Sequence, residues 1–144
     1  MEIQNRQFVT IGQLYNEFDE IYHVYAKKHN LSDTALWLLY SVCNEDNRYT
    51  QSRLCAEWHC APQTVNSALK NLEKQDYIRL EPSSDNQKSK LIVLTEKGRK
   101  IAQSIIVPLI HAEEKAIQQL TEKERTELFS LTKKYIEILR SEIN

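Results

Sequence analysis

Glycine is nearly missing from this sequence: 144 residues contain two, Gly12 and Gly98. A phosphate-cradling loop or a dinucleotide-binding turn needs several glycines in one short stretch, so both are excluded. Proline is also scarce, with three residues. The tight turns of a many-stranded β fold therefore have little to be made from, and helices are favoured. No apolar run approaches the roughly 18 residues of a membrane-spanning helix. The opening Met1-Glu2-Ile3-Gln4-Asn5-Arg6 lacks the basic-then-apolar order of a secretory signal. A cytoplasmic protein with no membrane partner is expected.

Cysteine is scarce and odd in number: Cys43, Cys55 and Cys60, read as reduced thiols. Cys55, His59 and Cys60 are of the residue types that bind zinc, and positions 55 and 59 share a helical face. Two or three ligands without a second cluster fall short of a zinc pattern, so they are read as structural, with no metal and no cofactor. The histidines His23, His29, His59 and His111 are read as structural too. No nucleophile–base pair of useful spacing appears, which argues against an enzyme.

What is present is an uneven charge distribution. Residues 48–100 hold ten Lys/Arg against six Asp/Glu, a net +4, while the rest hold nine against fourteen, a net −5, recovering the overall −1. A basic middle between acidic flanks suits a chain with one part facing a polyanion.

Periodicity supplies the elements. Phe8, Ile11, Tyr15, Phe18, Tyr22 and Tyr25 recur at steps of three and four, an amphipathic helix ending near Lys27, Lys28 and Asn30. Ser32 caps a second helix, apolar nearly all round from Ala35 to Tyr40 and so central. Thr50 caps a short third helix with Leu54 and Trp58 inward. After a brief turn at 59–61, Pro62 suits the first turn of a fourth helix running to about Lys74, with Val65, Leu69 and Leu72 inward. Residues 77–81 and 91–94 read as two strands joined by a polar loop at 82–90. Thr95 caps a long helix that Pro108 should kink, and Thr121-Glu122-Lys123-Glu124 is a capping box opening the last helix. The fold class is mainly α with a small β-hairpin wing (α+β), in a single domain over residues 1–144.

A helix, a tight turn, a polar-faced helix and then a hairpin with a basic loop form a winged helix-turn-helix. The major groove of B-DNA admits one α-helix, and Asn, Gln, Thr and Ser side chains read base edges there. Gln63, Thr64, Asn66, Ser67, Lys70 and Asn71 on the fourth helix are the candidate contacts. Ser52 on the preceding helix and Lys88 and Lys90 of the wing complete the set, chiefly toward phosphate.

Ser52-Arg53-Leu54-Cys55-Ala56-Glu57, Thr64-Val65, Leu72-Glu73-Lys74, Tyr77-Ile78 and Leu94-Thr95-Glu96-Lys97-Gly98-Arg99 together resemble the MarR family of bacterial transcriptional regulators across nearly the whole chain. The resemblance implies a homodimer interlocked through its N- and C-terminal helices, about 5–30 and 99–144, carrying reading lobes of about 32–98. It implies a repressor on a pseudo-palindromic double-stranded operator, released by a small-molecule effector, for which Tyr15, His23, Trp37 and Tyr40 are candidate contacts. Two departures stand out. The family's wing carries Asp-x-Arg, whereas Asp85 here precedes Asn86 and Gln87. Asp76 stands where the family favours glycine before the wing, and Asp is expected to tolerate the left-handed conformation. Phe8, Ile11, Leu14, Phe129, Ile136, Leu139 and Ile143 exceed what one small lobe can cover, which fits dimerisation. The competing reading is a helical protein–protein interaction module without sequence-specific DNA binding.

Overall fold

The helices begin and end where the local chemistry stops the backbone from continuing. The computed structural model describes residues 2–43, 49–82 and 90–144, which form two compact units, residues 1–106 and 107–144. In the first, α1 (Glu2–Lys28) starts before the apolar stripe that opens at Phe8, because the intervening polar residues include good helix formers. It closes with Asn30 in the left-handed region (φ 57°) and the Leu31 amide donating to the Ala26 carbonyl at 2.9 Å, which satisfies a carbonyl the helix end would orphan.

The Ser32 side chain accepts from the Ala35 amide at 3.1 Å and caps α2 (Asp33–Val42). As its composition predicts, α2 is central: Ala35, Leu36, Leu38, Leu39 and Val42 are buried. Around it lie α3 (Gln51–Trp58), α4 (Pro62–Lys74) and the antiparallel pair β1 (Ile78–Pro82) and β2 (Lys90–Leu94), in register from Ile78↔Leu94 to Pro82↔Lys90. Burial of Leu54, Val65, Leu69, Leu72, Ile78 and Ile92 contributes roughly 2 kcal/mol per side chain and supplies most of the packing.

The sheet also gains a partner outside its two strands. Thr50 bridges Leu91, and the Ile92 amide donates to the Tyr49 carbonyl at 2.9 Å. The residue that caps α3 is thereby pinned to the hairpin.

The long helix α5 (Glu96–Gln118) passes from the first unit into the second, and runs as one helix through Pro108, which removes a hydrogen bond without ending it. In the second unit, α6 (Glu122–Ile143) opens on the expected capping box, with the Thr121 hydroxyl accepting from the Glu124 amide and the Glu124 carboxylate accepting from the Thr121 amide. Those hydrogen bonds hold the Glu124 carboxyl below the usual carboxylate range. No residue of α6 is buried, and its Leu128, Phe129, Leu131, Ile136, Ile138, Leu139 and Ile143 are 41–75% exposed. On α1, Leu14, Tyr15, Phe18, Ile21 and Val24 are likewise 45–67% exposed. No described helix is long and apolar enough to cross a membrane.

Candidate nucleic-acid interface

Two helix starts define the site. The Thr50 hydroxyl accepts from the Arg53 amide at 3.2 Å and opens α3, which ends at His59 in the left-handed region (φ 51°). That reversal leads within two residues to Pro62, the first residue of α4, where the missing N–H costs nothing. The Gln51 side-chain amide donates to the Pro62 carbonyl at 3.3 Å, so the start of α3 holds the start of α4.

Within α4, Val65, Ala68, Leu69 and Leu72 are buried, and Gln63, Thr64, Asn66, Ser67, Lys70 and Asn71 are all exposed. The structure therefore brings six of the nine sequence-predicted contacts onto the outer side of one helix. The first acidic residue of α4 is Glu73, near its end. Ser52 is exposed in the first turn of α3, its hydroxyl 3.1 Å from that of Thr50. Lys90 is exposed opposite Pro82 on the hairpin. Lys88 and Asp85 lie outside the described residues.

The placement of α3 rests on a half-buried polar chain centred on Ser41. Trp58 Nε1 donates to the Ser41 hydroxyl, which donates to the Trp37 carbonyl at 2.9 Å, while the Trp37 and Trp58 rings stack 4.7 Å apart. Ser41 is buried, and this pairing satisfies it.

One basic group at the site was missed by pattern reading. The Arg53 guanidinium lies 4.2 Å from the centroid of the Tyr49 ring and pairs with Glu57 at 2.8 Å. Burial pushes the Tyr49 phenol above its ordinary value, the Glu57 carboxylate adds to the shift, and Arg53 opposes it. The i,i+4 spacing of Arg53 and Glu57 was visible in the sequence; the approach of Tyr49 was not.

The Leu94-Thr95-Glu96-Lys97-Gly98 stretch ties α5 to the end of α4. Thr95 accepts from the Gly98 amide at 2.9 Å and donates to the Asp76 carbonyl at 2.6 Å, and Lys97 donates to the Gln75 carbonyl at 3.2 Å. Asp76 adopts φ 62°, as the substitution for glycine requires. Gly98 is needed because a Cβ there would lie 1.9 Å from the Tyr77 carbonyl oxygen.

The effector candidates separate. Trp37 and Tyr40 meet in one aromatic cluster with Trp58 and Tyr22, at centroid distances of 4.7–6.1 Å. His23 is exposed and pairs with Asp33 at 2.9 Å, and Tyr15 is exposed on α1. A crevice beside the cluster, lined by Trp37, Leu38, Leu54, Trp58, Cys60 and Val65 among others, has room for about one water molecule. It is too small for an organic effector without rearrangement. Among the described residues, no three His, Cys, Asp or Glu side chains are grouped to hold a metal ion.

Residues 29–89 match the family model described as MarR family. Among solved structures, the chain is similar to NMB1585, a MarR family regulator from Neisseria meningitidis (TM-score 0.82, 21% identity, 95% of this chain and 96% of that one). It is also similar to a MarR family transcriptional regulator from Listeria monocytogenes complexed with 26mer DNA (TM-score 0.72, 28% identity, covering 94% and 89%). The S. aureus MepR–DNA complex superposes with a TM-score of 0.72 at 19% identity, covering 91% and 96%. No protein of curated function matches the sequence. The match to the MarR family model thus falls on α2 to β1, and the six helices and hairpin follow the order of the solved MarR family structures, so the chain has the winged-helix fold of those regulators.

Proposed function

We propose that this protein is a sequence-specific regulator of transcription that binds a pseudo-palindromic duplex operator as a homodimer and acts as a repressor released by a small ligand. The observation that carries the reading is the outer side of α4: six hydrogen-bonding side chains, none of them acidic, on a helix whose first residue is bonded to Gln51 of α3. Such a surface is complementary to base edges bordered by phosphates. The relatives solved with DNA support the same use of the lobe. In this reading residues 1–144 act as one functional domain, with 32–98 as the lobe and with 5–30 and 99–144 pairing the two copies. Ser52 and the N-terminus of α3 face a phosphate, and the aromatic cluster at Trp37 and Tyr40 opens to take the effector, with Tyr15 and His23 at its approach.

Titration of a duplex pool at several salt concentrations tests the core of this reading. A log–log slope reporting several phosphate contacts is expected. Absence of salt-dependent duplex affinity would instead favour a partner-binding module, which the exposed apolar residues of α1 and α6 would serve.

Two expected results refine it. Asn66→Ala should weaken binding to the selected operator by roughly 1–3 kcal/mol and flatten preference at one base position of each half-site; unchanged discrimination would remove Asn66 from the reading set. Replacing Lys88 and Lys90 together by Ala should weaken binding to all duplexes alike and reduce the salt slope by about one contact per lysine. A collapse of discrimination at constant slope would mean that the wing reads sequence.

A further inference from the structure

A reading helix can recognise only bases whose edges complement its side chains, and the exposed side chains in the first two turns of α4 are unusually restricted. They are Pro62, Gln63, Thr64, Asn66 and Ser67; Val65 is buried. In the major groove guanine offers two acceptors, O6 and N7, and is matched by a double donor, arginine or lysine. Cytosine offers the N4 donor and is matched by a carboxylate. Neither type is present in those two turns, and the hydroxyls of Thr64 and Ser67, which donate and accept alike, select no base by themselves. Adenine offers the N7 acceptor beside the N6 donor, which the amides of Gln63 and Asn66 match, and thymine offers a methyl group that the Thr64 methyl can meet.

The surrounding charges do not fill the gap. Lys70 is the first charged side chain of α4, a turn beyond Asn66 and so outside the two turns that carry the amides, and as a compact point charge it suits a phosphate. Arg53 is held between Glu57 and the Tyr49 ring, and Arg79 lies 3.6 Å from Glu81 on β1. The Gln51 bond to the Pro62 carbonyl holds the amide-bearing turns at the groove-entering end of the helix.

We infer that the base pairs read directly by α4 are A·T pairs, recognised in the major groove through Gln63, Thr64 and Asn66, with Lys70 confined to phosphate. The inference rests on the DNA-reading assignment of α4 made above and specifies the substrate of that site.

The test starts with selection of bound sequences from a pool of random duplexes by the full-length protein. Selection with Asn66→Arg and with Gln63→Ala then identifies which positions of each half-site α4 reads, since only those positions should change. A·T pairs are expected there, and Asn66→Arg should convert one of them to G·C. Next, each such A·T pair is replaced by inosine·cytosine, which carries the major-groove pattern of G·C and the minor-groove pattern of A·T. Affinity should fall roughly 5- to 150-fold per pair, as it does with G·C itself. Retained affinity with inosine·cytosine would place the discrimination in the minor groove and overturn the inference. G·C pairs at the mapped positions, or a G·C preference erased by Lys70→Ala, would overturn it while leaving the regulator reading intact. Failure to select any sequence would overturn the regulator reading and the inference with it.

Discussion

Gly98→Ala is expected to destabilise the protein by about 3 kcal/mol, seen as a fall in Tm of roughly 10 °C. The added Cβ would sit 1.9 Å from the Tyr77 carbonyl oxygen and 2.8 Å from its carbon. Both are backbone atoms and cannot rotate away. Relief requires the first turn of α5 to lift, which strains the Thr95–Asp76 and Lys97–Gln75 bonds together. Operator affinity should drop at temperatures where the variant is still folded, because those bonds also position the end of α4. Gly12 provides the control. A Cβ there meets nothing within 4 Å, so Gly12→Ala should stabilise α1 by up to about 1 kcal/mol through helix propensity alone. Thermal unfolding of the two variants side by side should give shifts of opposite sign. Equal and small changes would show that the approach of α5 to Tyr77 tolerates a methyl group.

Removal of residues 129–144 is expected to leave a monomer or an insoluble chain that no longer holds the operator. The exposed apolar residues of α6 bury nothing of their own, and pairing with a second copy through one patch that meets itself would cover them. Loss of pairing forfeits the second lobe, and with it a factor on the order of 10² or more in affinity. Two lobes related by a two-fold axis reach successive major grooves about 10–10.5 base pairs apart. Inserting about five base pairs between half-sites turns one of them to the far side of the duplex and should abolish tight binding by the intact protein. Sedimentation of the truncated chain and titration of the spaced operators measure the two effects. A soluble monomer that binds the operator tightly, or tolerance of the half-turn insertion, would defeat the paired reading.

The sequence made most of the architecture readable because its signals are local. Ser32, Thr50 and Thr121 were identified as caps from residue type and following pattern, and all three accept the expected backbone N–H. The division of α4 into buried Val65, Leu69 and Leu72 and an exposed polar side follows from helical spacing alone. The left-handed turn at Asp76 was legible because few residue types tolerate that conformation. What escaped was non-local. A single bridge between Thr50 and Leu91 has no period to detect. The hydrogen bond from Trp58 to Ser41 joins residues 17 apart that no pattern links. Thr95 was readable as a cap, but its second bond, to Asp76, depends on how α5 meets the wing. The aromatic residues were visible as an apolar stripe, and only three dimensions separate Trp37 and Tyr40, inside the cluster, from Tyr15 and His23 outside it.

The exposure of α6 has a consequence for how the protein responds to its own abundance. A helix of this length gains little from propensity in water, and one that buries no side chain lacks the packing that normally sustains it. In the proposed homodimer a second copy supplies that packing, so folding of that segment and formation of the DNA-competent species would become a single bimolecular event. At concentrations below the pairing constant, the population able to occupy both half-sites grows with the square of chain concentration. Doubling the protein would nearly quadruple that species, giving a threshold in copy number without contacts between neighbouring operators.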